Sequence, residues 1–393
     1  MRRNLATVLV RAARRHPIVT VTGPRQSGKT TLCRALFPRK PYVTFERLDE
    51  RERVRADPRG FLADHPGGAI LDEVQHVPDL LSYLQAEVDE DPRPGRWVLT
   101  GSQHFGLASS VAQSLAGRTA IFHLLAPSRD ELARFPKPPA TLLANLLTGA
   151  YPRIHDQSLS PSRWLGDYVA TYVQRDVRQV LEVTNLAAFT TFVRLAAGRT
   201  AQEVNLSALG SDAGVSHLTA RSWLTALEAS FLVTLVPAWH RTTRKRLVRR
   251  PKLHWLDSGL VCHLLGITTE EQLRLHPLRG AIFESWVVSE VVKAHANRGV
   301  EPRLYHLRET RGVELDLLVE HGRELRGIEC KSGATVAEDA FRGLLALPGS
   351  IGAAADVRPG VLVYGGDTAQ RRHEHQVVPW RRLPDVSWLK RGA

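Results

Sequence analysis

Eight residues constrain this chain more than any other stretch: Gly23-Pro24-Arg25-Gln26-Ser27-Gly28-Lys29-Thr30. The spacing G-x-x-x-x-G-K-T is that of a phosphate-binding loop. Gly23 and Gly28 allow the tight backbone path that points successive N–H groups at an anion. Lys29 has the reach for β- and γ-phosphates, and the Thr30 hydroxyl suits Mg²⁺. The flanks agree with the motif. Ile18 to Thr22 is a β-branched run that predicts a strand entering the loop, and Thr31 to Phe37 predicts a helix leaving it. A helix starting there turns its N-terminus toward the phosphates. The expected nucleotide contacts are therefore Gly23, Pro24, Arg25, Gln26, Ser27, Gly28, Lys29, Thr30 and Thr31, with ATP and Mg²⁺ as cofactors. The alternative, a chance glycine turn, leaves both flanks unexplained.

A chain of 393 residues predicts two or three domains, and 43% apolar content supplies sizeable cores. The net charge of +13 favours an anionic partner, nucleic acid first and a membrane surface second, unless the arginine excess is only compositional. Cys33, Cys262 and Cys330 are far apart and lack zinc spacing, which fits a reducing, cytoplasmic setting. No apolar run approaches the ~20 residues of a membrane span. Arg11, Arg14 and Arg15 follow the first apolar residues at once, so the N-terminus predicts a basic amphipathic helix rather than a secretory signal.

Four more short apolar runs follow the loop: Tyr42–Phe45, Ala69–Leu71, Trp97–Thr100 and Ala120–Leu124. Strands alternating with helices predict a parallel α/β sheet that binds its ligand at the carboxyl ends of the strands. Chemistry-bearing residues stand at those ends. The third run ends in Asp72-Glu73, where Asp72 can hold Mg²⁺ and Glu73 can orient or deprotonate a water. The fourth ends in Thr100-Gly101-Ser102-Gln103. A polar side chain there, Ser102 above all, can sense a γ-phosphate or place the water, or simply cap the strand.

The loop, Leu71-Asp72-Glu73-Val74-Gln75, Leu99-Thr100-Gly101-Ser102 and Ser114-Leu115-Ala116-Gly117-Arg118 together resemble a large prokaryotic family of AAA-type P-loop ATPases. In that family a conserved C-terminal domain of undefined function follows the ATPase, and the resemblance runs the length of this chain. It implies that Arg118 stands where the family keeps a Gly-Arg. An arginine there could stabilise charge on a transferring phosphoryl, in cis or from a neighbouring subunit of a homo-oligomer. The alternative is a surface arginine. No secure second sensor arginine is found, with Arg175 and Arg199 suggested by order alone.

The Pro-rich stretch Phe135–Pro139 predicts a break. Tyr168, Tyr172 and Arg175 then share a helical face, a spacing more typical of core than of a binding site. From Ser207 to Asp257 the order is distinctive. A short helix, a turn at Gly214, a helix N-capped by Ser216 with Leu218, Trp223, Leu224 and Leu227 to pack, and two strand runs predict a winged helix-turn-helix. The segment between the strands carries Arg241, Arg244, Lys245, Arg246, Arg249, Arg250 and Lys252 and no acid. Phosphate contacts from such a segment would give DNA affinity with little sequence preference. A protein–protein adapter with a merely solvated basic loop is the alternative.

The C-terminal third predicts the order αβββαβ: a helix around Ala281–Val292, strands at Arg303–Leu307, Val313–Val319 and Gly327–Lys331, a helix near Phe341–Ala346 and a last strand at Gly360–Tyr364. Glu329 and Lys331 share a strand face by alternation, Asp316 lies on the neighbouring strand and Glu284 on the helix. The arrangement resembles the PD-(D/E)XK nuclease core, with Leu315 where the proline would be. That resemblance makes Glu284, Asp316 and Glu329 the metal ligands of a nuclease and gives Lys331 the water or the transition state. A degenerate core that binds nucleic acid or a partner, its lysine merely ion-paired, is the other reading.

The domain expectation is an ATPase domain at 1–135, a helical region at 136–200, a winged helix at 201–270 and a nuclease-like domain at 271–393. The leading functional expectation couples nucleotide state to nucleic-acid binding or metal-dependent cleavage, with Lys29, Glu73, Arg118, Asp316, Glu329 and Lys331 as catalytic residues. The runner-up is an ATP-switched DNA- or protein-binding regulator with an inactive nuclease-like domain. A structural ATPase that only holds protein partners is the third.

Overall fold

Short β-branched and apolar runs, buried on both faces, decide the first sheet. Strands β1 (Ile18–Gly23) and β4 (Trp97–Ser102) are buried at every residue, as strands covered on both faces must be. They join β2 (Tyr42–Thr44), β3 (Ile70–Asp72) and β5 (Thr119–His123) in the order β2-β3-β4-β1-β5, and the pairings are parallel. Alternation sends Leu71, Trp97 and Leu99 into one core and Ile70, Val98, Val19 and Val21 into the other. The computed structural model describes residues 2–102, 115–171, 185–240, 250–308 and 313–388.

The chain divides into two compact units. The first comprises Met1–Pro127 with the short segments Ala229–Phe231 and Ala296–Val300, and the second holds the remainder. In the second unit one continuous apolar cluster runs from Leu142 to Trp388. The helical region, the three-stranded sheet and the C-terminal sheet thus share a core.

Helix Leu186–Gly198 comes before β6 (Gln202–Glu203), helices Leu206–Asp212 and His217–Ala229 follow it, and β7 (Val233–Val236) and β8 (Lys252–Trp255) complete a small antiparallel sheet of order β6-β8-β7. Gly214 turns the chain at φ +71°, and the Ser216 hydroxyl accepts from the Thr219 amide at 3.1 Å, fixing the start of the third helix. Trp223, Leu224 and Leu227 are buried as their spacing requires, whereas Leu218 is 64% exposed, contrary to expectation. It lies in the first turn, on the side away from the apolar stripe. Tyr168 is buried and stacks on Trp164 with ring centroids 5.3 Å apart, a core role. Tyr172, Arg175 and the basic positions 241–249 lie outside the described residues.

The last sheet is mixed, in the order β13-β14-β12-β11-β10-β9. It is built from β9 (Arg303–Arg308), β10 (Glu314–His321), β11 (Glu324–Lys331), β12 (Asp356–Tyr364), β13 (Gln370–Arg372) and β14 (His375–Pro379). The helix Arg279–Ala296 comes before β9, and Arg342–Ile351 connects the parallel neighbours β11 and β12. Expectation ended the sheet at Tyr364. The chain adds the hairpin β13–β14, and β14 extends the sheet beside β12 in parallel. Polar Gln370-Arg371-Arg372 on the edge strand gave little apolar signal.

Candidate nucleotide site and a second acidic cluster

The loop from Gly23 to Thr30 leaves β1 at the carboxyl edge of the first sheet. Gly23 has φ +145°, and a Cβ there would lie 2.2 Å from the Leu124 carbonyl oxygen, so neither the turn nor the space admits a side chain. Gly28, at φ +92°, N-caps the helix Lys29–Leu36. Lys29 is 5% exposed and donates Nζ to the Gly23 and Pro24 carbonyls at 3.0 Å each. Burial lowers its pKa to about 8 against the opposing charges of Glu73 and Asp72. The lysine is thus sequestered by the loop, with acids near enough to be felt.

Asp72 ends β3 and gathers hydroxyls. It accepts from Thr30 Oγ1 at 3.0 and 3.1 Å, from Tyr42 at 2.8 Å and from Thr100. A hydroxyl and a carboxylate in contact form an oxygen-only donor set, which suits a hard cation such as Mg²⁺. Glu73 has φ +58°, a left-handed conformation that a non-glycine adopts only when held there. Its carboxylate accepts from Ser102 Oγ at 2.8 Å and from Gln75. Burial would raise the Glu73 carboxyl, but Lys29, the two hydrogen bonds and Arg25 outweigh it and hold the group below its usual range. Ser102 thus meets Glu73 at the end of β4. Thr31 continues the helix, and Pro24, Gln26 and Ser27 shape the loop, Gln26 at φ +65°.

Arg118 is placed differently from the in-cis expectation. Its carbonyl accepts from the Ile18 amide at 3.3 Å, beside the first residue of β1, while the loop follows the last. The parallel register fixes it at the opposite edge of the sheet, where its guanidinium pairs with Asp89 at 2.6 and 2.7 Å. Arg199, the described one of the two sensor suggestions, belongs to the second unit and pairs with Asp212.

Sequence reasoning missed Arg3. It is 6% exposed and donates Nη1 to the Ser27 carbonyl at 2.8 Å and Nη2 to the Leu125 carbonyl at 2.6 Å. It thereby braces the phosphate loop against the segment after β5. Partners 24 and 122 residues away leave no local signal.

A second acidic cluster lies in the C-terminal sheet. Leu317 of β10 lies opposite Ile328 of β11, so Asp316 and Glu329 occupy adjacent positions on neighbouring strands. The Cys330 amide donates to Asp316 Oδ2 at 2.8 Å, and Lys331 Nζ donates to Glu329 Oε1 at 2.7 Å. Into this cluster comes Lys252, the first residue of β8. Its Nζ stands 3.1 Å from Glu284, 3.4 Å from Glu314 and 4.0 Å from Asp316. Lys252 is 3% exposed, so it is not a free cation of the basic segment. Alternation along β8 turns Lys252 and His254 to the same face, and His254 Nδ1 meets Ser285 Oγ at 3.0 Å beside Glu284. Burial raises the Glu284 carboxyl, with Asp316 adding repulsion and Lys252 opposing both. Burial would lower Lys252, but Glu284 and Asp316 hold it above its ordinary value.

The expected metal trio of Glu284, Asp316 and Glu329 does not form a metal-holding group. Among the described residues no three His, Cys, Asp or Glu side chains are arranged to hold an ion. The ammonium of Lys252 stands beside two of the carboxylates that the expectation assigned to the metal, Glu284 and Asp316.

A five-stranded parallel sheet with a phosphate loop at its carboxyl edge is the architecture of a P-loop ATPase. Residues 15–133 match the model of the AAA domain, 140–271 a domain of unknown function (DUF8612) and 279–383 a second domain of unknown function (DUF4143). Two uncharacterized mycobacterial proteins, Mb2031c of Mycobacterium bovis and Rv2008c of Mycobacterium tuberculosis, are 31% identical over 335 residues, which covers 85% of this chain and 74% of each of theirs. The chain belongs to their family, and it carries an AAA domain followed by two domains of unknown function. The Walker-type ATPase PABY2304 of Pyrococcus abyssi is similar at 13% identity and a TM-score of 0.44, covering 66% of this chain and 94% of that one. No helix among the described residues is long and apolar enough to cross a membrane.

Proposed function

We propose that this chain is a Mg-ATP-hydrolysing switch whose nucleotide state controls what its second unit binds. The observation that carries the reading is the meeting of Thr30, Asp72, Glu73, Ser102 and Lys29 at one sheet edge, with Asp72 accepting from Thr30 at 3.0 Å and Glu73 from Ser102 at 2.8 Å. Mg²⁺ supplies charge neutralisation on the phosphates, and Thr30 and Asp72 are the residues that would hold it. Loop amides of Gly23 to Thr30, with Arg25 nearby and Thr31 at the helix start, bind the phosphates. Lys29 exchanges its loop carbonyls for phosphate oxygens. Glu73, kept ionised below its usual range, accepts the proton of the attacking water, and Ser102 orients it. Arg118, facing away from its own loop, serves a neighbouring subunit in a homo-oligomer or does not take part. The test is ATP turnover by Lys29→Ala, which this reading expects to be abolished; normal turnover would refute it.

For the second unit the reading is a winged helix followed by a nuclease-like fold, with DNA as the first partner to try. Its support is the order of helices and strands around β6-β8-β7 and the αβββαβ order after residue 279. Of the two forms of this proposal, the binding regulator with an inactive nuclease-like domain is favoured over the active nuclease, because the described residues contain no metal-holding trio. DNA cleavage in Mg²⁺ or Mn²⁺ that is lost in Asp316→Asn would reverse that preference. Nucleotide-dependent, salt-sensitive DNA binding unchanged by Lys331→Ala supports it.

A further inference from the structure

The carboxylates that would make a cation site in the C-terminal sheet already face a cation, and it is covalently part of the chain. Lys252 Nζ has carboxylate oxygens of Glu284, Glu314 and Asp316 at 3.1, 3.4 and 4.0 Å. Those acids come from a helix and a strand, and Lys252 from the three-stranded sheet, so the contact depends on tertiary packing alone. Position, not chance rotation, sets the side chain. Lys252 pairs with Val236 in β7 and Glu203 in β6, and its neighbour on the same face, His254, is fixed by Ser285. An ammonium carries one charge and three donors. It can neutralise such a cluster only in part, and Glu329 Oε2 is buried without a hydrogen-bond partner. The cluster therefore retains acceptor capacity that its lysine does not fill.

We propose that Lys252 is a tethered cation that occupies this carboxylate site and excludes divalent metal from it. The cluster stays closed to metal while β8 keeps its place beside the helix Arg279–Ala296. Lys331, 42% exposed and paired to Glu329 on the same strand, cannot play this part, because it stays with its own acid. The inference stands on these contacts and does not depend on the ATPase or DNA-binding readings.

Mn²⁺ binding to the full-length, nucleotide-free protein tests it, followed by electron paramagnetic resonance and by the shift in melting temperature. Wild type is expected to bind no Mn²⁺ that Asp316→Asn removes. Lys252→Met is expected to gain one Mn²⁺ equivalent that Lys252→Met/Asp316→Asn loses, and Lys252→Arg, which keeps the charge, should gain none. If Lys252→Met unfolds without metal, Mn²⁺ should restore its cooperative melt, since the ion takes over the neutralising role. Asp316-dependent Mn²⁺ binding by wild type would overturn the proposal. So would a folded Lys252→Met that gains no site, or one that Mn²⁺ fails to rescue.

Discussion

The two acidic clusters use the same residue types to opposite ends. In the first unit, Lys29 donates to two backbone carbonyls of its own loop, and the neighbouring acids are held by hydroxyls and an amide side chain. Carbonyls are neutral acceptors that a lysine can exchange for phosphate oxygens at modest cost. In the second unit, Lys252 donates straight to Glu284 with two further carboxylates around it. Breaking a buried charge pair leaves the other charge uncompensated, which is far costlier. One lysine is thus available to a ligand, while the other is part of the fold. The pKa shifts follow the same division, Lys29 lowered to about 8 by burial and Lys252 raised by its acids against burial.

The strongest way to break the comparison is Lys29→Ala, expected to lower ATP turnover by at least ~10²- to 10³-fold with little change in the melt. Loss of folding instead would make Lys29 as structural as Lys252. Lys252→Met is the mirror experiment. It should cost about 3–5 kcal/mol of stability in urea unfolding without metal and leave ATP turnover per folded molecule intact. A smaller expected effect is that of Glu73→Gln, roughly 10²-fold on turnover with nucleotide affinity preserved, measured by fluorescent-nucleotide titration beside steady-state hydrolysis.

A pH titration sharpens the contrast. Lys29 has a folded-state pKa below its unfolded value, so it is charged below about 8 and neutral above it. Phosphate affinity should decline as pH rises through that value. Lys252 is shifted the other way, so its stabilising charge is fully present below the unfolded lysine pKa and is lost only as pH rises through a still higher folded value. Between pH 7 and 10 nucleotide binding should therefore weaken while the Lys252 contribution to the melt persists; equal decline of both would contradict the division. The mildest change is Arg118→Ala. Its partner Asp89 is exposed and on the far edge of the sheet, so turnover by isolated subunits should not change. A loss that appears only as protein concentration rises would assign Arg118 to a neighbouring subunit.

Much of the first site could be read before any fold was known, because its parts are local. Gly23 to Thr30 sit on one strand–loop–helix unit, and Asp72 and Glu73 sit directly at a strand end. Tyr42 and Thr100 were harder. They reach Asp72 from the neighbouring strands on either side, and only the strand order β2-β3-β4 makes them neighbours of it. In the second unit, alternation identified the shared face of Glu329 and Lys331, but the six cations just before it in sequence grouped Lys252 with a basic segment expected to contact phosphates. Polar contacts of β8 with the helix Arg279–Ala296, His254 with Ser285 and Lys252 with Glu284, overrode that local pattern.

The sequence by itself determined the ligand class of the first unit, since a phosphate loop is a contiguous backbone path that needs glycine, lysine and a hydroxyl at fixed spacing. It also determined the parallel sheet, because short β-branched and apolar runs alternate with helices along the chain. Only the tertiary structure decided which charges meet. Arg3 reaching Ser27, Arg118 turning to Asp89 and Lys252 entering the acids of Glu284 and Asp316 all join residues distant in the chain. Coulomb attraction and desolvation depend on distances in space, which no local spacing encodes.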